Sequence, residues 1–327
     1  MGMQTSINDF GIVQWFIFGE KEQVKLSIKA MHELGITELR TNISWADWER
    51  PGGQEWYDWL VPELHRAGFK IFPSLFYTPL EFARLLPGQT REDARTNHAP
   101  EDLESYARFC EAIVTRYGSY LSEWYQVWNE PNNQAYWNQD IDPEGVLFDV
   151  MANAALDVLQ GAGRKIVLGG LIPPYPVWVE KHRDLVHRSD ALGIQAFPGT
   201  WDKMEWRGWQ HAVNLVRNHL KPGQQIWITE TGYSTVTLED SSEELKRFRE
   251  QSQILYLGDL MESTADRAYF YSLFDQQPTH LTDNAINKGT PPDPRAYHFG
   301  LIDWQGRKKP AFSHWQANRQ LQKVRAA

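Results

Sequence analysis

Short apolar runs alternate along the chain with longer stretches in which apolar residues return every three or four positions. The first pattern suits buried strands and the second suits helices with one face turned to a core, so the alternation predicts βαβ units around a parallel sheet. Eight runs read as strands: Gly11–Phe18, Glu38–Ile43, Lys70–Tyr77, Ser122–Trp128, Lys165–Leu171, Ala191–Phe197, Gln225–Thr229 and Arg267–Phe274. Val24, Ile28, Met31 and Leu34 mark the first helix, which Gly35 ends as a C-cap. Further helices are predicted over Trp56–Ala67, Asp102–Tyr117, Val146–Leu159, Gln210–Leu220 and Ser242–Glu262, with a closing helix over Pro310–Val324. In the third of these seven, Tyr106, Phe109, Ile113 and Val114 share a face. Eight strands with helices between them make an α/β fold of the (β/α)8 class, the TIM barrel. No Pro/Ser-rich linker divides residues 1–327, so a single catalytic-barrel domain is expected. Gly88–Pro100 and Gln276–Asp293 read as insertions in strand-to-helix loops, which form the active-site face of such barrels.

Composition narrows the function classes. The net charge is -9 and no basic block occurs, which argues against a nucleic-acid partner. No run of roughly 18 apolar residues suggests a membrane partner. The one cysteine, Cys110, leaves no pair for a disulfide within the chain. The N-terminus carries no positively charged leader, and its first apolar stretch reads as a strand, so a cytoplasmic location is expected unless a signal peptide has been removed. The 15 tryptophans are the unusual number, and many lie near Pro, Gly, Asn and Asp rather than within apolar runs. Flat sugar faces stack on such rings, and the indole N–H can bond a hydroxyl.

Two glutamates stand at strand ends. Glu130 lies in Trp128-Asn129-Glu130-Pro131-Asn132 after the fourth strand, and Glu230 in Trp227-Ile228-Thr229-Glu230-Thr231-Gly232 after the seventh. Cleaving a glycosidic bond with retention needs two such carboxyl groups, one to protonate the leaving oxygen and one to attack the anomeric carbon. Their pKa values must differ: Glu130, as general acid/base, has to start protonated, and Glu230, as nucleophile, ionised. Arg40, at the end of the second strand, is the candidate cation beside Glu230, because a buried Arg keeps its charge. Asn129 can reach a sugar hydroxyl beside the bond that breaks.

At these residues the chain resembles glycoside hydrolase clan A, a group of retaining (β/α)8-barrel enzymes, most closely its families 39 and 5. Trp-Asn-Glu-Pro-Asn is similar to the clan's acid/base motif, Ile-Thr-Glu-Thr-Gly to its nucleophile motif, and Arg40 to its strand-two arginine. Phe299-Gly-Leu-Ile-Asp-Trp304 with Lys309-Pro-Ala-Phe312 resembles the segment after strand eight. The resemblance implies cleavage of a β-linked glycoside or oligo/polysaccharide without a cofactor. One position departs: where the clan often has a strand-six Tyr bonded to the nucleophile, this chain has Phe197, and Gln195 or Tyr233 are the candidate substitutes. Candidate sugar platforms are Trp45, Trp48, Tyr77, Trp137, Trp201 and Tyr233, with Tyr175 and Trp178 after strand five, and Asp275 could bond a hydroxyl.

Other readings compete. A transglycosidase would use the same carboxyls, passing the sugar to another sugar. A non-catalytic carbohydrate-binding barrel would keep the architecture. A metal-dependent isomerase needs Asp, Glu and His clustered at several strand ends. No His pattern of that kind occurs, and His182 and His187 are five apart, so no metal is expected.

Overall fold

The computed structural model describes residues 9–201, 208–237, 242–261, 263–276 and 293–326. Eight strands close into one barrel in chain order: β1 (Asp9–Val13), β2 (Glu38–Ser44), β3 (Lys70–Phe76), β4 (Trp124–Val127), β5 (Lys165–Leu171), β6 (Ala191–Gln195), β7 (Gln225–Thr231) and β8 (Arg267–Tyr271). Every neighbouring pair is parallel, including β8 back onto β1. The connecting helices are α1 (Lys21–Glu33), α2 (Trp45–Glu49), α3 (Gly53–Arg66), α4 (Glu104–Tyr117), α5 (Val146–Gly161), α6 (Pro176–Lys181), α7 (Arg183–Arg188), α8 (Gly208–Arg217) and α9 (Glu243–Met261). Helix α10 (Pro310–Ala326) follows the barrel. This is the (β/α)8 fold expected of the sequence.

Parallel strands with helices outside must be apolar on both faces. The outward residues of the strands, Leu39, Leu75, Val127, Leu168 and Ile228 among them, join the helix faces in one large core. A second cluster fills the barrel itself: Val13, Phe72, Trp124, Val167, Ala191, Trp227 and Tyr269, one residue from each strand except β2. The helix stops follow from local geometry. After α1, Gly35 takes a left-handed φ of 66°, and Ile36 N–H bonds back to Met31 O at 2.9 Å, closing the turn.

Two expectations shift. The apolar run from Gly11 is not strand throughout: β1 ends at Val13, and the chain leaves the sheet. Gln14, Trp15 and Ile17 turn to the mouth of the barrel, while Phe18 packs on Trp56 at 5.9 Å. Residues 45–49 form a helix not expected from the sequence, started by Ser44, whose hydroxyl accepts from Asp47 N–H. The segment from Gly88 to Pro100 is a β3–α4 loop as expected, whereas the bulk of the second predicted insertion, 277–292, lies outside the described residues.

Candidate active site

At the C-terminal mouth of the barrel the apolar filling gives way to a polar layer centred on Arg40. Its buried guanidinium uses three edges: Nη1 donates to Glu230 Oε1 at 2.5 Å, Nη2 to Asn129 Oδ1 at 2.9 Å and Nε to Gln126 Oε1 at 2.8 Å. Trp15 lies against it, 4.9 Å from ring centre to guanidinium carbon. A planar, permanently charged fork suits this task, where a lysine would reach one partner. Asn129 Oδ1 also accepts from Gln195 Nε2 at 2.8 Å and, more weakly, from Gln126 Nε2 at 3.3 Å. With its oxygen held by these donors, Asn129 presents its Nδ2 to the cleft it lines.

Backbone irregularities aim these groups. Between β6 and β7 the register slips, so Ile194 faces Ile228 but Gln195 faces Glu230. The extra residue lets Ile228 stay in the outer core and Glu230 still reach Arg40 inside. Gly170 clears the space below: a Cβ there would stand 2.8 Å from Gln195 Nε2 and 3.0 Å from Thr229 Oγ1. At the end of β3 and after β4, Tyr77, Trp128 and Glu130 hold left-handed φ values of 72°, 63° and 47°. Non-glycine residues adopt that region at a cost, and such residues concentrate where function requires a particular side-chain direction.

The two carboxyls differ in surroundings. Burial and then the negative charge of Glu230 push the Glu130 carboxyl up to about 8. Asn133 Nδ2, donating to Glu130 Oε2 at 2.6 Å, and the more distant Arg40 act weakly the other way. Burial also raises Glu230 above the ordinary carboxylate value, but the Arg40 charge and hydrogen bond oppose that rise directly. Of the pair, Glu130 is therefore the one pushed furthest towards its protonated form, and Glu230 the one whose charged form has a bonded cation beside it.

A cleft of about 670 Å³ opens above this layer. Asn129, Tyr77, Tyr136 and Tyr271 line its inner end, beside the carboxyls, and Trp15, Gln14 and Asn42 its flank. Tyr77 is thus where a platform was expected, stacked on Tyr136 with ring centres 6.0 Å apart. Asp275 also lines the cleft, but its Oδ1 is taken by Lys309 Nζ at 2.7 Å and Gly300 N–H at 2.7 Å. That arrangement anchors the chain after β8.

Other expected contacts lie elsewhere. Trp45 and Trp48 sit three residues apart on α2, and the new helix turns both inward: Trp45 stacks on Phe109 at 5.8 Å and Trp48 meets Tyr117 at 5.8 Å. Trp137 is buried behind Trp128, edge-on at 5.2 Å, with its N–H on Asp142. Trp201 lies half-buried under Arg295 and against Phe299. Tyr175 and Trp178 line a separate depression of about 500 Å³ between the β4 and β5 loops. Among the described residues neither proposed substitute for the strand-six hydroxyl hydrogen-bonds the Glu230 carboxylate: Gln195 serves Asn129, and the Tyr233 hydroxyl accepts from Arg249 at 3.0 Å. The phenol beside Glu230 is instead Tyr271, at the end of β8. Burial raises its hydroxyl first, and the Glu230 charge second. Its ring meets Phe197 edge-on at 6.1 Å, so Phe197 packs against it. Gln276 Nε2 donates to the Tyr271 oxygen.

The backbone of this chain superposes on solved glycoside hydrolases. A family 39 glycoside hydrolase from Bacteroides cellulosilyticus WH2 aligns with a TM-score of 0.64 at 14% identity, over 96% of this chain and 64% of that one. An exo-β-1,4-mannosidase from Opitutaceae bacterium strain TAV5 gives 0.67 at 13% identity, over 100% and 63%. A family 1 β-glucosidase from Thermotoga maritima gives 0.62 at 14% identity, over 95% and 96%. The chain has the fold of these glycoside hydrolases. It spans 64% and 63% of the length of the first two. No protein-family model matches the sequence. No curated protein matches it either.

Proposed function

We propose that the protein is a retaining glycosidase acting on a β-linked glycoside or oligosaccharide, with Glu230 as nucleophile and Glu130 as general acid/base. The observation that carries this reading is the asymmetry of the two buried carboxyls, one bonded to Arg40 and the other raised to about 8. Clan A membership, suggested by the motifs, agrees with the shared fold.

In the first step the Glu230 carboxylate attacks the anomeric carbon, the bond to the leaving oxygen breaks, and the Glu130 proton passes to that oxygen. Asn129 Nδ2 donates to a sugar hydroxyl next to the reacting carbon. Once Glu230 is esterified, its charge is gone, and with it a main cause of the high Glu130 pKa. Glu130 then becomes a stronger acid, and its carboxylate can take a proton from water as that water attacks the anomeric carbon and frees Glu230. The same charge that readies Glu130 as acid thus resets it as base. Tyr271, whose hydroxyl feels the Glu230 charge, is the phenol we assign to the nucleophile's oxygen as the ester forms and breaks.

The test is Glu230→Ala on an aryl β-glycoside that the wild type cleaves. Turnover should fall by at least about 10³-fold, and azide should restore it with the α-glycosyl azide as product, read by NMR. A β-azide, or normal turnover by the variant, would overturn the assignment.

A further inference from the structure

The cleft continues well past the carboxyls. From Tyr271 its lining takes in Phe274 and Gln276, a turn after β8, Asp303-Trp304-Gln305-Gly306, and Ile17, Glu20, Gln23 and Leu26 from the segment before α1 and its first turns. Trp304 stands on that turn with 53% of its surface exposed, the exposed tryptophan among the described residues. Leu26, which lines the same cleft, is 59% exposed. A large ring left in water forgoes the stabilisation it would gain by burial, so such a placement calls for an occupant.

The turn that carries Trp304 has a fixed backbone. Asp303 is nearly buried, and its Oδ1 accepts from Gln305 N–H at 3.1 Å and Arg307 N–H at 2.8 Å. Arg307 Nε donates to Asp303 Oδ2 at 2.9 Å, and its Nη2 ties the turn to Glu250 on α9 at 2.9 Å. Gly306 closes it with a φ of 88°, its N–H on Asp303 O at 2.9 Å. A ring whose backbone is already fixed loses less freedom when something stacks on it. A flat apolar face in one cavity with the polar side chains of Glu20, Gln23 and Gln305, and with Asn129 and Tyr271 at the inner end, matches a pyranose ring with hydroxyls around its edge.

We infer that Trp304 forms an outer sugar-binding subsite, beyond the unit held at the carboxyls, so that the substrate is an oligosaccharide rather than a simple monoglycoside. The inference rests on the glycosidase reading for its catalytic side but has its own binding test. The probes are β-linked gluco-, manno-, xylo- and galacto-oligosaccharides of two to five units, and the matching aryl monoglycosides. Trp304→Ala should lower the ratio of kcat/KM on the best oligosaccharide to that on its aryl monoglycoside about tenfold, the scale of one aromatic stacking contact. Trp304→Phe should recover most of that ratio, which a merely structural loss would not allow. Titration of the wild type with the same oligosaccharides should perturb the Trp304 indole signal in NMR, with affinity rising from two to three or more units. An unchanged ratio with no indole shift overturns the subsite. If the wild type cleaves no glycoside, the glycosidase reading fails, and the titration alone then decides the subsite: length-dependent binding that Trp304→Ala weakens supports it, and no such binding overturns it.

Discussion

The interior of this barrel is two different materials stacked on the same strands. Below, Val13, Phe72, Trp124, Val167, Trp227 and Tyr269 interlock as a packed plug, with Trp124 and Trp227 rings 4.5 Å apart. Above, the same β4 and β7, with the turn after β4, carry Gln126, Asn129 and Glu230, joined through Arg40. The plug gains stability from every atom it buries. The upper layer buries charge, which is unfavourable unless each charge is paired and bonded. A stability-only design would extend the plug upward, so the polar layer marks where this fold gives up stability for chemistry.

Substitutions on either side should therefore separate stability from activity. Arg40→Lys keeps the charge but cannot serve Glu230, Asn129 and Gln126 together. Turnover should fall about 10²–10³-fold, the scale of losing a preorganised electrostatic partner, while the melting point moves far less. Trp227→Ala should do the reverse. It empties a site bounded by Trp124, Phe72 and Tyr269 and should lower unfolding stability by about 3–5 kcal/mol in denaturant titration. Its kcat per folded molecule at low temperature should stay within a few-fold of wild type. If Trp227→Ala damaged turnover as deeply as Arg40→Lys, the two layers would be one coupled unit.

The plug and the outer core were legible in the sequence because they leave a periodicity. Strand β5 falls on Lys165–Leu171 as read, since every residue but the first is buried there. The motif glutamates and Arg40 were legible too, as charged residues at the ends of apolar runs, and the structure brings all three together. What escaped depends on direction rather than type. Trp45 looks like a strand-end platform until Ser44 starts a helix and rotates it into the core. Tyr271 gave no signal, because nothing local says that a β8 phenol lies close enough to feel the charge of the β7 carboxylate. Register slips between β5 and β6, β6 and β7, and β7 and β8 change which residues face inward at the level of the site. Period-two reasoning fails at those slips. Trp304 was seen only as part of a motif, and its exposure depends on the Asp303–Arg307 clamp.

The smallest expected effect is also the one that distinguishes the layers most cleanly, because only the upper layer titrates. Glu130 holds its proton up to about 8 in the fold, against an ordinary value of 4.5. Below about 4.5 both folded and unfolded chains are protonated there, and the full contribution to stability is present. As pH rises towards 8 the unfolded chain releases the proton while the fold retains it, so stability drains away, and above 8 the loss is complete. Glu130→Gln removes the titration. Relative to wild type, its melting point should therefore climb by roughly 5 °C between pH 5 and pH 9, on the order of a few kcal/mol. In the wild type, kcat/KM should fall along an alkaline limb centred near 8, where the acid is lost. The melting deficit of Trp227→Ala should stay constant over the same range, since the plug holds no carboxyl and burial lifts its one phenol, Tyr269, well above pH 9. A Glu130→Gln difference that is flat with pH would mean that Glu130 titrates in the fold as it does in water, and the division between a neutral plug and a charged lid would lose its upper half.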